Sequence, residues 1–258
     1  MTDEERYLFD LMGYVVLEGV LCRQEVRELS EAIDGRDLWE ERTKREEGPH
    51  MNALKMHIGP MLDWGEPFRR LMKHPVTLSC LKELVGEKMR LDHEYAILMR
   101  KGAAENRLHG GGAPYDPAQY FNFRNGRMYN GLTVVTFALT DVNPGDGGFC
   151  CIPGSHKSNV PCPLPFKSLE RRGSWLVQPP VKAGDVIVFT EALTHGTLPW
   201  TAGHERRALL YKYSPGHLAW GRAYNRGADE AMDETQRLLM EPPYVSNRAD
   251  VAPAEKSA

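Results

Sequence analysis

The chain has 258 residues, a length typical of one large domain or two small ones. Its 41% hydrophobic and 26% charged residues are enough to fill a core, and no apolar run approaches the ~18 to 20 residues of a membrane span. The net charge of −3 excludes a global electrostatic attraction to nucleic acid or to a membrane.

The N-terminal stretch and the cysteines both indicate a cytoplasmic protein. The sequence MTDEERYLFDLMGYVVLEGV opens acidic and lacks the basic-then-apolar order of a signal peptide. The five cysteines form no CxxC pair and are odd in number, which favours buried thiols over a disulfide framework or a zinc site. We expect a small-molecule substrate and no nucleic-acid or membrane partner, and the sequence leaves the oligomeric state open.

The first part of the chain is predicted to be mainly helical. Apolar spacing predicts helices over residues 3–12 and 22–34, with the short β-rich run GYVVLEGVL between them. Residues 36–60 are charged and poor in apolar runs, so we expect a loop or an irregular helix there. Residues 75–86 predict another helix, which Gly86 would end as a C-cap.

From residue 88 onward the pattern changes to strands. Residues 89–102, 131–142, 184–198 and 205–216 are rich in β-branched and aromatic residues and are bounded by turn residues. Such strands predict an antiparallel barrel or double sheet, with the N-terminal helices packed outside. A polar, helical segment is expected over 222–240. We predict one domain over 1–245 and a disordered tail over 246–258.

Two of the nine histidines stand in a context that favours chemistry. His109 precedes three glycines in LHGGGAPY, and glycines allow a ligand or another backbone to approach closely. His195 ends the apolar run DVIVFTEALTH and is followed closely by Thr197. Arg206, eleven residues after His195, begins the next predicted strand. His195 and Arg206 can therefore lie on neighbouring strands that face one cavity.

These segments resemble the phytanoyl-CoA dioxygenase-like family of iron(II)/2-oxoglutarate-dependent oxygenases. The resemblance rests on GYVVLEGVL, LTDVNPGDGGFCCIPGSHK and KAGDVIVFTEALTHGTLPW. It implies a mainly β fold with added helices (α+β), in which a double-stranded β-helix, or cupin-like jelly roll, carries N-terminal helices. The implied cofactors are Fe(II), 2-oxoglutarate as co-substrate and O2.

The resemblance also implies roles for individual residues. His109 and His195 would bind iron, and Arg206 would bind the distal carboxylate of 2-oxoglutarate, with a hydroxyl contact from Thr197. An arginine fork suits a carboxylate in a dry pocket. Arg207 is the rival anchor, because strand alternation turns only one of the two arginines inward.

The chain departs from the family pattern at Gly111, where the family places an aspartate ligand. Iron(II) oxygenase sites use two imidazoles and one carboxylate. A glycine at this position is typical of the related halogenases, in which chloride takes the vacated place, and this favours halogenation. Asp116, or one of Asp92, His93 and Glu94, is an alternative source of the third ligand. A two-histidine hydroxylase or a non-catalytic binding relative are further alternatives.

Other interpretations of the same motifs are weaker. HGGG also occurs in the oxyanion holes of lipases, but the chain has no G-x-S-x-G elbow, and no Gly-Lys-Ser/Thr follows the glycines to form a phosphate loop. A plain turn is the remaining structural explanation of the three glycines. We interpret His156 as a structural hydrogen-bonding residue and expect one of Cys150 and Cys151 in the core and one outside it.

The segment after His109 is a candidate lid or substrate-binding wall. Residues 115–131 combine tyrosine, phenylalanine and asparagine, and basic residues nearby would suit an anionic substrate. The predicted function is oxidation of an unactivated C–H bond in a small molecule. The candidate substrate-binding residues are Tyr115, Tyr120, Asn125, Arg127 and Tyr129.

Overall fold

The computed structural model describes residues 1–43, 54–221 and 229–251. Its helices are α1 (Asp3–Met12), α2 (Arg23–Asp34), α3 (Leu38–Thr43), α4 (Glu66–Leu71), α5 (Pro75–Leu84), α6 (Leu164–Lys167) and α7 (Glu234–Met240), with 3-10 turns at Leu62–Trp64 and Ser155–Lys157. Its strands are β1 (Tyr14–Leu17), β2 (Lys55–Ile58), β3 (Met89–Met99), β4 (Asn106–His109), β5 (Phe121–Arg124), β6 (Arg127–Asn130), β7 (Thr133–Ala138), β8 (Gly148–Cys151), β9 (Val186–Thr190), β10 (His195–Leu198) and β11 (Arg206–Pro215).

Two antiparallel sheets form the body of the fold. The larger sheet has six strands in the order β1-β9-β7-β11-β3-β2, and the smaller has the order β4-β10-β8. Strands far apart in sequence are neighbours in both sheets, as in a jelly roll. A separate hairpin, β5-β6, follows the first candidate ligand, His109.

Alternating side chains give the large sheet two different faces. On β11, Leu209, Tyr211 and Tyr213 pack with residues of the helices in one core. Ala208 and Leu210 belong to a second core, which also contains Cys151 of the small sheet. The second core therefore lies between the sheets, and the β11 residues of the same parity face it.

Buried tyrosines connect the helical layer to the large sheet. The Tyr211 hydroxyl donates to the Phe68 carbonyl of α4 at 2.8 Å, and the Tyr213 hydroxyl donates to the Met72 carbonyl at 2.8 Å. Both side chains are fully buried, where a hydroxyl needs a partner. These hydrogen bonds hold α4 against the outer face of the large sheet, so the inner face is not covered by this helix.

The predicted fold class is confirmed, and the differences concern short elements. The strand prediction missed β4, the β5-β6 hairpin and β8, which have four residues each, too few for a clear alternation. Within the charged segment 36–60 the structure has α3 and β2, while residues 44–53 of that prediction lie outside the described residues. The predicted helix over 222–240 is α7, and residues 222–228 are not described.

Two smaller expectations were wrong. Cys150 and Cys151 are both fully buried, because the two sides of β8 pack in different clusters: Cys151 lies in the core between the sheets, and Cys150 lies with Leu108 and Leu169. Residues 246–251 are not a disordered tail: Val251 is 2% exposed and its amide donates to the Glu87 carbonyl at 2.9 Å. The buried Arg248 also donates to the Pro242 carbonyl at 2.9 Å. Residues 252–258 lie outside the described part of the chain.

The described helices include none that is long and apolar enough to cross a membrane. The five cysteines are free thiols, as the odd count suggested.

His156 has the structural role that the sequence suggested. Its Nε2 donates to the Asp10 carbonyl of α1 at 3.0 Å, while Nδ1 is buried with no hydrogen-bond partner among the described residues. A proton on Nδ1 would therefore be a buried charge without an acceptor. Burial accordingly lowers the pKa of His156 from 6.5 to about 4.

Replacing His156 should flatten the acid dependence of stability. Between pH 6.5 and about 4, His156 is protonated in the unfolded chain but stays neutral in the folded chain. Lowering the pH over this range therefore lowers the free energy of unfolding, by up to about 1.4 kcal/mol per pH unit from His156 alone. Urea unfolding of metal-free wild type and His156→Asn between pH 4 and 7 measures the slope. Equal slopes in the two proteins would contradict the assignment.

Candidate metal centre

The pairing of β4 with β10 brings the two candidate histidines together. His109 ends β4 and His195 begins β10, and the two residues are direct partners in the antiparallel register. Their ring centroids lie 4.2 Å apart. His195 is 5% exposed, whereas His109 is exposed, so the pair is open on the His109 side.

Backbone carbonyls orient both imidazoles. His195 Nδ1 lies 2.7 Å from the Leu193 carbonyl oxygen, and His109 Nδ1 lies 3.4 Å from that of Arg107. A carbonyl can only accept, so each Nδ1 carries the hydrogen and each Nε2 keeps a free lone pair. Metal-binding histidines typically have this arrangement.

A carboxylate joins the two histidines. Glu191 follows β9 and is 2% exposed, and its Oε2 lies 3.8 Å from His195 Nε2. Within the described residues, one group of three or more potential metal-ligating side chains has its ligand atoms within 4.8 Å of one another: His109, Glu191 and His195. Glu191 Oε1 accepts from Lys212 Nζ at 2.6 Å, so the two oxygens face different partners.

Burial and nearby charges set the protonation states of His195 and Glu191. Burial, assisted by the neighbouring His109, lowers the pKa of His195 to about 3, so the ring is neutral near pH 7. Burial alone would raise the pKa of Glu191, but the positive charge of Lys212 outweighs it and lowers the pKa to about 2. Neutral imidazole and ionised carboxylate are the forms that bind metals.

The glycines after His109 are required by close backbone contacts. A Cβ on Gly110 would lie 2.5 Å from the carbonyl oxygens of Glu191 and Leu193. A Cβ on Gly112 would lie 2.7 Å from the carbonyl oxygen of His156. The loop is therefore pressed between the β9–β10 connection and the 3-10 turn at 155–157, and it is not a phosphate cradle.

Gly111, the position of the absent aspartate, has a backbone conformation that favours glycine. Its φ is +112°, which side chains with L chirality rarely adopt, and its amide donates to the Ala192 carbonyl at 3.0 Å. A Cβ there would lie 3.0 Å from the Thr194 hydroxyl. The backbone conformation alone is a sufficient reason for glycine at this position.

Two buried cations lie elsewhere on the inner face. Arg206 and Lys55 are both register partners of Met99, from opposite sides of β3, so the three residues form one row across the sheet. Arg206 is 5% exposed and Lys55 is 1% exposed. Among the described residues, Lys55 Nζ and Arg206 Nε have no hydrogen-bond partner. An Arg206 amino group donates only to the Met99 sulfur at 3.7 Å.

The two unpaired cations create a strong requirement for an anion. Burial, together with the positive charge of Arg206, lowers the pKa of Lys55 to about 8. Burial likewise lowers the pKa of Arg206 to about 10. Because buried charges are normally paired, this pattern is typical of a site for a carboxylate or phosphate. Arg206 also lines a small cavity with Phe149 and Ile187.

The rival anchor and the rival ligands have other partners. Arg207 bonds to Asp34 at 2.6 Å and to Glu205 at 2.9 Å on the outer side of the sheet. Asp116 is exposed, and its carboxylate accepts from the amides of Ala118 at 2.7 Å and Gln119 at 3.1 Å.

The carboxylates of β3 are also engaged away from the cluster. Asp92 pairs with Arg90 at 3.0 Å and with His93 at 2.8 Å. Glu94 accepts from the Leu62 amide at 3.0 Å, and burial raises its pKa to about 7. Of the alternatives considered from the sequence, none belongs to the described three-residue cluster.

The candidate substrate residues lie on an exposed segment after His109. Tyr115 is 68% exposed and stacks on Tyr120 with ring centroids 6.3 Å apart. Asn125 lies in the β5-β6 turn with a φ of +52°, and Arg127 lies over the ring of Tyr129. Thr197, the predicted hydroxyl contact, is a buried residue of β10 paired with Phe149.

Glu191, Lys212 and Lys55 were not predicted from the sequence. Glu191 and Lys212 are charged residues within apolar runs, which indicates either a buried ion pair or a site, whereas Lys55 lies in a charged segment that gives no such signal. Lys212 also shares the strand parity of Arg206, which places both on the inner face of β11.

Comparison with known proteins identifies the family that the chain matches. The model of the phytanoyl-CoA dioxygenase (PhyH) family matches residues 9–208. A curated relative, dioxygenase af480 of Aspergillus fumigatus, is 24% identical over 223 residues. The match covers 83% of this chain and 66% of that relative, slightly less than two thirds of its length.

Solved structures share the fold. HygX from Streptomyces hygroscopicus, with nickel, 2-oxoglutarate and hygromycin B bound, is 25% identical with a TM-score of 0.74, over 88% of this chain and 95% of HygX. The epimerase SnoN of nogalamycin biosynthesis, in complex with Fe3+, alpha ketoglutarate and nogalamycin RO, is 20% identical with a TM-score of 0.63, over 95% and 96% of the two chains. At that lower identity the likeness to SnoN concerns the fold.

Replacing Gly110 with alanine should lower the free energy of unfolding more than the same replacement at Gly126. Gly126 is the matched control, because its φ of +74° nearly equals the +75° of Gly110 but nothing lies within 4 Å of its Cβ position. Both variants carry the backbone strain, and only Gly110→Ala adds the clash. We expect Gly110→Ala to be less stable than Gly126→Ala by about 1–3 kcal/mol in urea unfolding. Equal losses would show that the loop is not pressed against the β9–β10 connection.

Proposed function

The chain belongs to the phytanoyl-CoA dioxygenase (PhyH) family, and we propose that it oxidises an unactivated C–H bond of a small molecule with Fe(II), 2-oxoglutarate and O2. The observation that carries the proposal is the pair of partnered histidines, His109 and His195, with both Nε2 atoms free, on the same inner space as two unpaired cations. The two histidines are suited to bind a metal ion, and the two cations are suited to bind a dianion.

The metal fits the donor set of the cluster. His109 and His195 would hold it through Nε2, with Nδ1 of each ring held by a backbone carbonyl. When bound, Fe(II) with 2-oxoglutarate activates O2, and one oxygen atom passes to the substrate carbon while the other appears in succinate with release of CO2. The buried His195 side excludes water, and the exposed His109 side leaves room for substrate to approach.

The co-substrate fits the two buried cations. The Arg206 guanidinium would hold the distal carboxylate of 2-oxoglutarate, and Lys55 supplies a second positive charge on the same row. The carboxylate would relieve the repulsion between the two cations and satisfy Lys55 Nζ and Arg206 Nε. Thr197, on the strand of His195, is retained as a hydroxyl contact to the co-substrate.

The substrate would approach across the β5-β6 segment. Tyr115, Tyr120 and Tyr129 offer stacking surfaces, and Asn125 and Arg127 offer polar and positive groups for an anionic substrate. HygX and SnoN are described with bulky natural products, hygromycin B and nogalamycin RO. This supports a small-molecule substrate of that general kind.

Halogenation is the second candidate reaction. Gly111 brings no carboxylate toward the histidines, and the adjacent Thr194 hydroxyl is buried with no hydrogen-bond partner in the described part of the chain. A hydroxyl of this kind could donate to a chloride bound at the vacated position. The glycine conformation at Gly111 weakens this candidate, because it explains the residue without a halide.

The experiment that tests the function is succinate formation. Wild type incubated with Fe(II), 2-oxoglutarate and O2 should release succinate, and His195→Ala should lose this activity because one of two fixed imidazoles is gone. Product analysis by mass spectrometry in chloride and in bromide separates oxygenation from halogenation. A wild type that forms no succinate, alone or with a panel of hydroxylated natural products, would contradict the enzyme proposal.

The co-substrate anchor is tested separately with matched arginine variants. Arg206→Gln should raise the KM for 2-oxoglutarate by about 30-fold or more, since losing one partner of a buried charge pair costs about 2 kcal/mol or more. Lys55→Met should raise it as well. Arg207→Gln is the control, because Arg207 pairs on the outer side of the sheet. A larger effect from Arg207→Gln than from Arg206→Gln would reverse the assignment.

A further inference from the structure

We propose that Glu191 is the third protein ligand of the metal, so that the carboxylate comes from the β9–β10 connection and not from the residue two positions after His109. The inference rests on the proposed function, because it assigns a ligand to that metal. It differs from the family pattern, in which the carboxylate and the first histidine share one short segment. It also changes the meaning of Gly111, whose missing side chain is then compensated elsewhere.

Distance supports the assignment. A metal with bonds of about 2.1 Å can touch two ligand atoms only if these lie within about 4.2 Å of each other. Glu191 Oε2 and His195 Nε2 are 3.8 Å apart, inside that limit. Asp116, by contrast, uses its carboxylate to cap its own loop. Glu191 is thus the carboxylate of the described cluster.

The backbone fixes Glu191 from two sides. The Glu191 amide donates to the Leu132 carbonyl at 2.9 Å, and the Leu193 amide donates to the Thr190 carbonyl at 2.9 Å. From the His109 side, the Gly111 amide donates to the Ala192 carbonyl at 3.0 Å. The same contacts that require glycine after His109 therefore hold the His109 segment at a set distance from Glu191.

Lys212 positions the carboxylate. Its Nζ holds Glu191 Oε1 at 2.6 Å, which leaves Oε2 directed to the histidines. A metal-binding carboxylate is commonly hydrogen-bonded through its other oxygen in this way. Lys212 lies on the inner face of β11, six residues after Arg206, and is 8% exposed. Lys212 is a positioning residue, since its contact is with the ligand and not with the metal.

An ionised Glu191 also disfavours a halide at the site. A chloride beside the histidines would face a buried negative charge, and like charges in a dry environment repel strongly. Glu191 supplies the single negative charge that a chloride would otherwise provide. The assignment therefore favours oxygenation over halogenation.

Metal affinity tests the assignment without any turnover. Mn(II) binding to the metal-free full-length chain, added as the acetate in chloride-free buffer, is followed by the loss of the free Mn(II) electron paramagnetic resonance signal. Glu191→Gln keeps the shape of the side chain and should lower the affinity by about 100-fold or more, since even outer partners of metal ligands are worth about 10–100-fold.

Two carboxylate variants are matched controls. Asp116→Asn removes the carboxylate of the alternative ligand on the exposed loop. Glu94→Gln removes a buried carboxyl group, which accepts a hydrogen bond from the Leu62 amide away from the cluster. Both should bind Mn(II) like wild type. Thermal unfolding of each variant shows whether the protein is folded, so that a loss of Mn(II) affinity caused by unfolding can be recognised.

The role of Lys212 is tested by a double-mutant cycle. Lys212→Met should lower Mn(II) affinity by about 10–100-fold. In a Glu191→Gln background the same change should have no further effect, because Lys212 acts through Glu191. Additive losses in the double variant would contradict that role.

The outcomes separate this inference from the proposed function. If wild type and His195→Ala both fail to bind Mn(II), the metal function itself is wrong. If wild type binds and Glu191→Gln binds equally well, only the Glu191 assignment is overturned. If affinity for Glu191→Gln is unchanged and added chloride strengthens the binding of wild type, a halide takes the place proposed for Glu191.

Discussion

The site depends on one backbone pairing, the antiparallel alignment of β4 with β10. It makes His109 and His195 direct partners, so their rings meet although 85 residues separate them in the chain. The pairing requires a close approach between the segment after His109 and the β9–β10 connection, and only glycine at position 110 permits it. The same approach brings Glu191 beside the two rings. The three candidate metal ligands and the glycine run are therefore parts of one packing arrangement.

The inner face of β11 organises the rest of the site by charge. Arg206 at its start and Lys212 near its end share one parity, with Ala208 and Leu210 between them in the core between the sheets. Lys212 has a buried anion, Glu191, while Arg206 has none among the described residues. The cation near the end of the strand is thus paired, whereas the one at its start, with Lys55 beside it, has no hydrogen-bond partner at Nε among the described residues. This asymmetry supports the proposal that Arg206 and Lys55 bind an anion, whereas Lys212 and Glu191 already form an ion pair.

Much of this architecture could be predicted from sequence, and the failures have physical causes. The helices at 3–12 and 22–34 and the long strands followed from periodicity, because each buries one regular face. His109, His195 and Arg206 were selected from their sequence context and from the resemblance to the oxygenase family. Glu191 could not be predicted in this way, since its distance from His109 is set by the pairing of β4 with β10 and not by spacing along the chain. Lys55 was hidden in a charged segment whose short strand joins the far edge of the sheet. Gly111 was interpreted from its missing side chain, whereas its φ of +112° gives an independent reason for glycine.

The most direct test of the account is an anaerobic crystal structure with Mn(II), 2-oxoglutarate and bromide, in which bromide is located by its anomalous scattering. The account predicts the metal between His109, His195 and Glu191, with the distal carboxylate of 2-oxoglutarate on Arg206 and Lys55 and no bromide on the metal. A metal bound to the two histidines and to bromide beside Gly111, with Glu191 held only by Lys212, would contradict it.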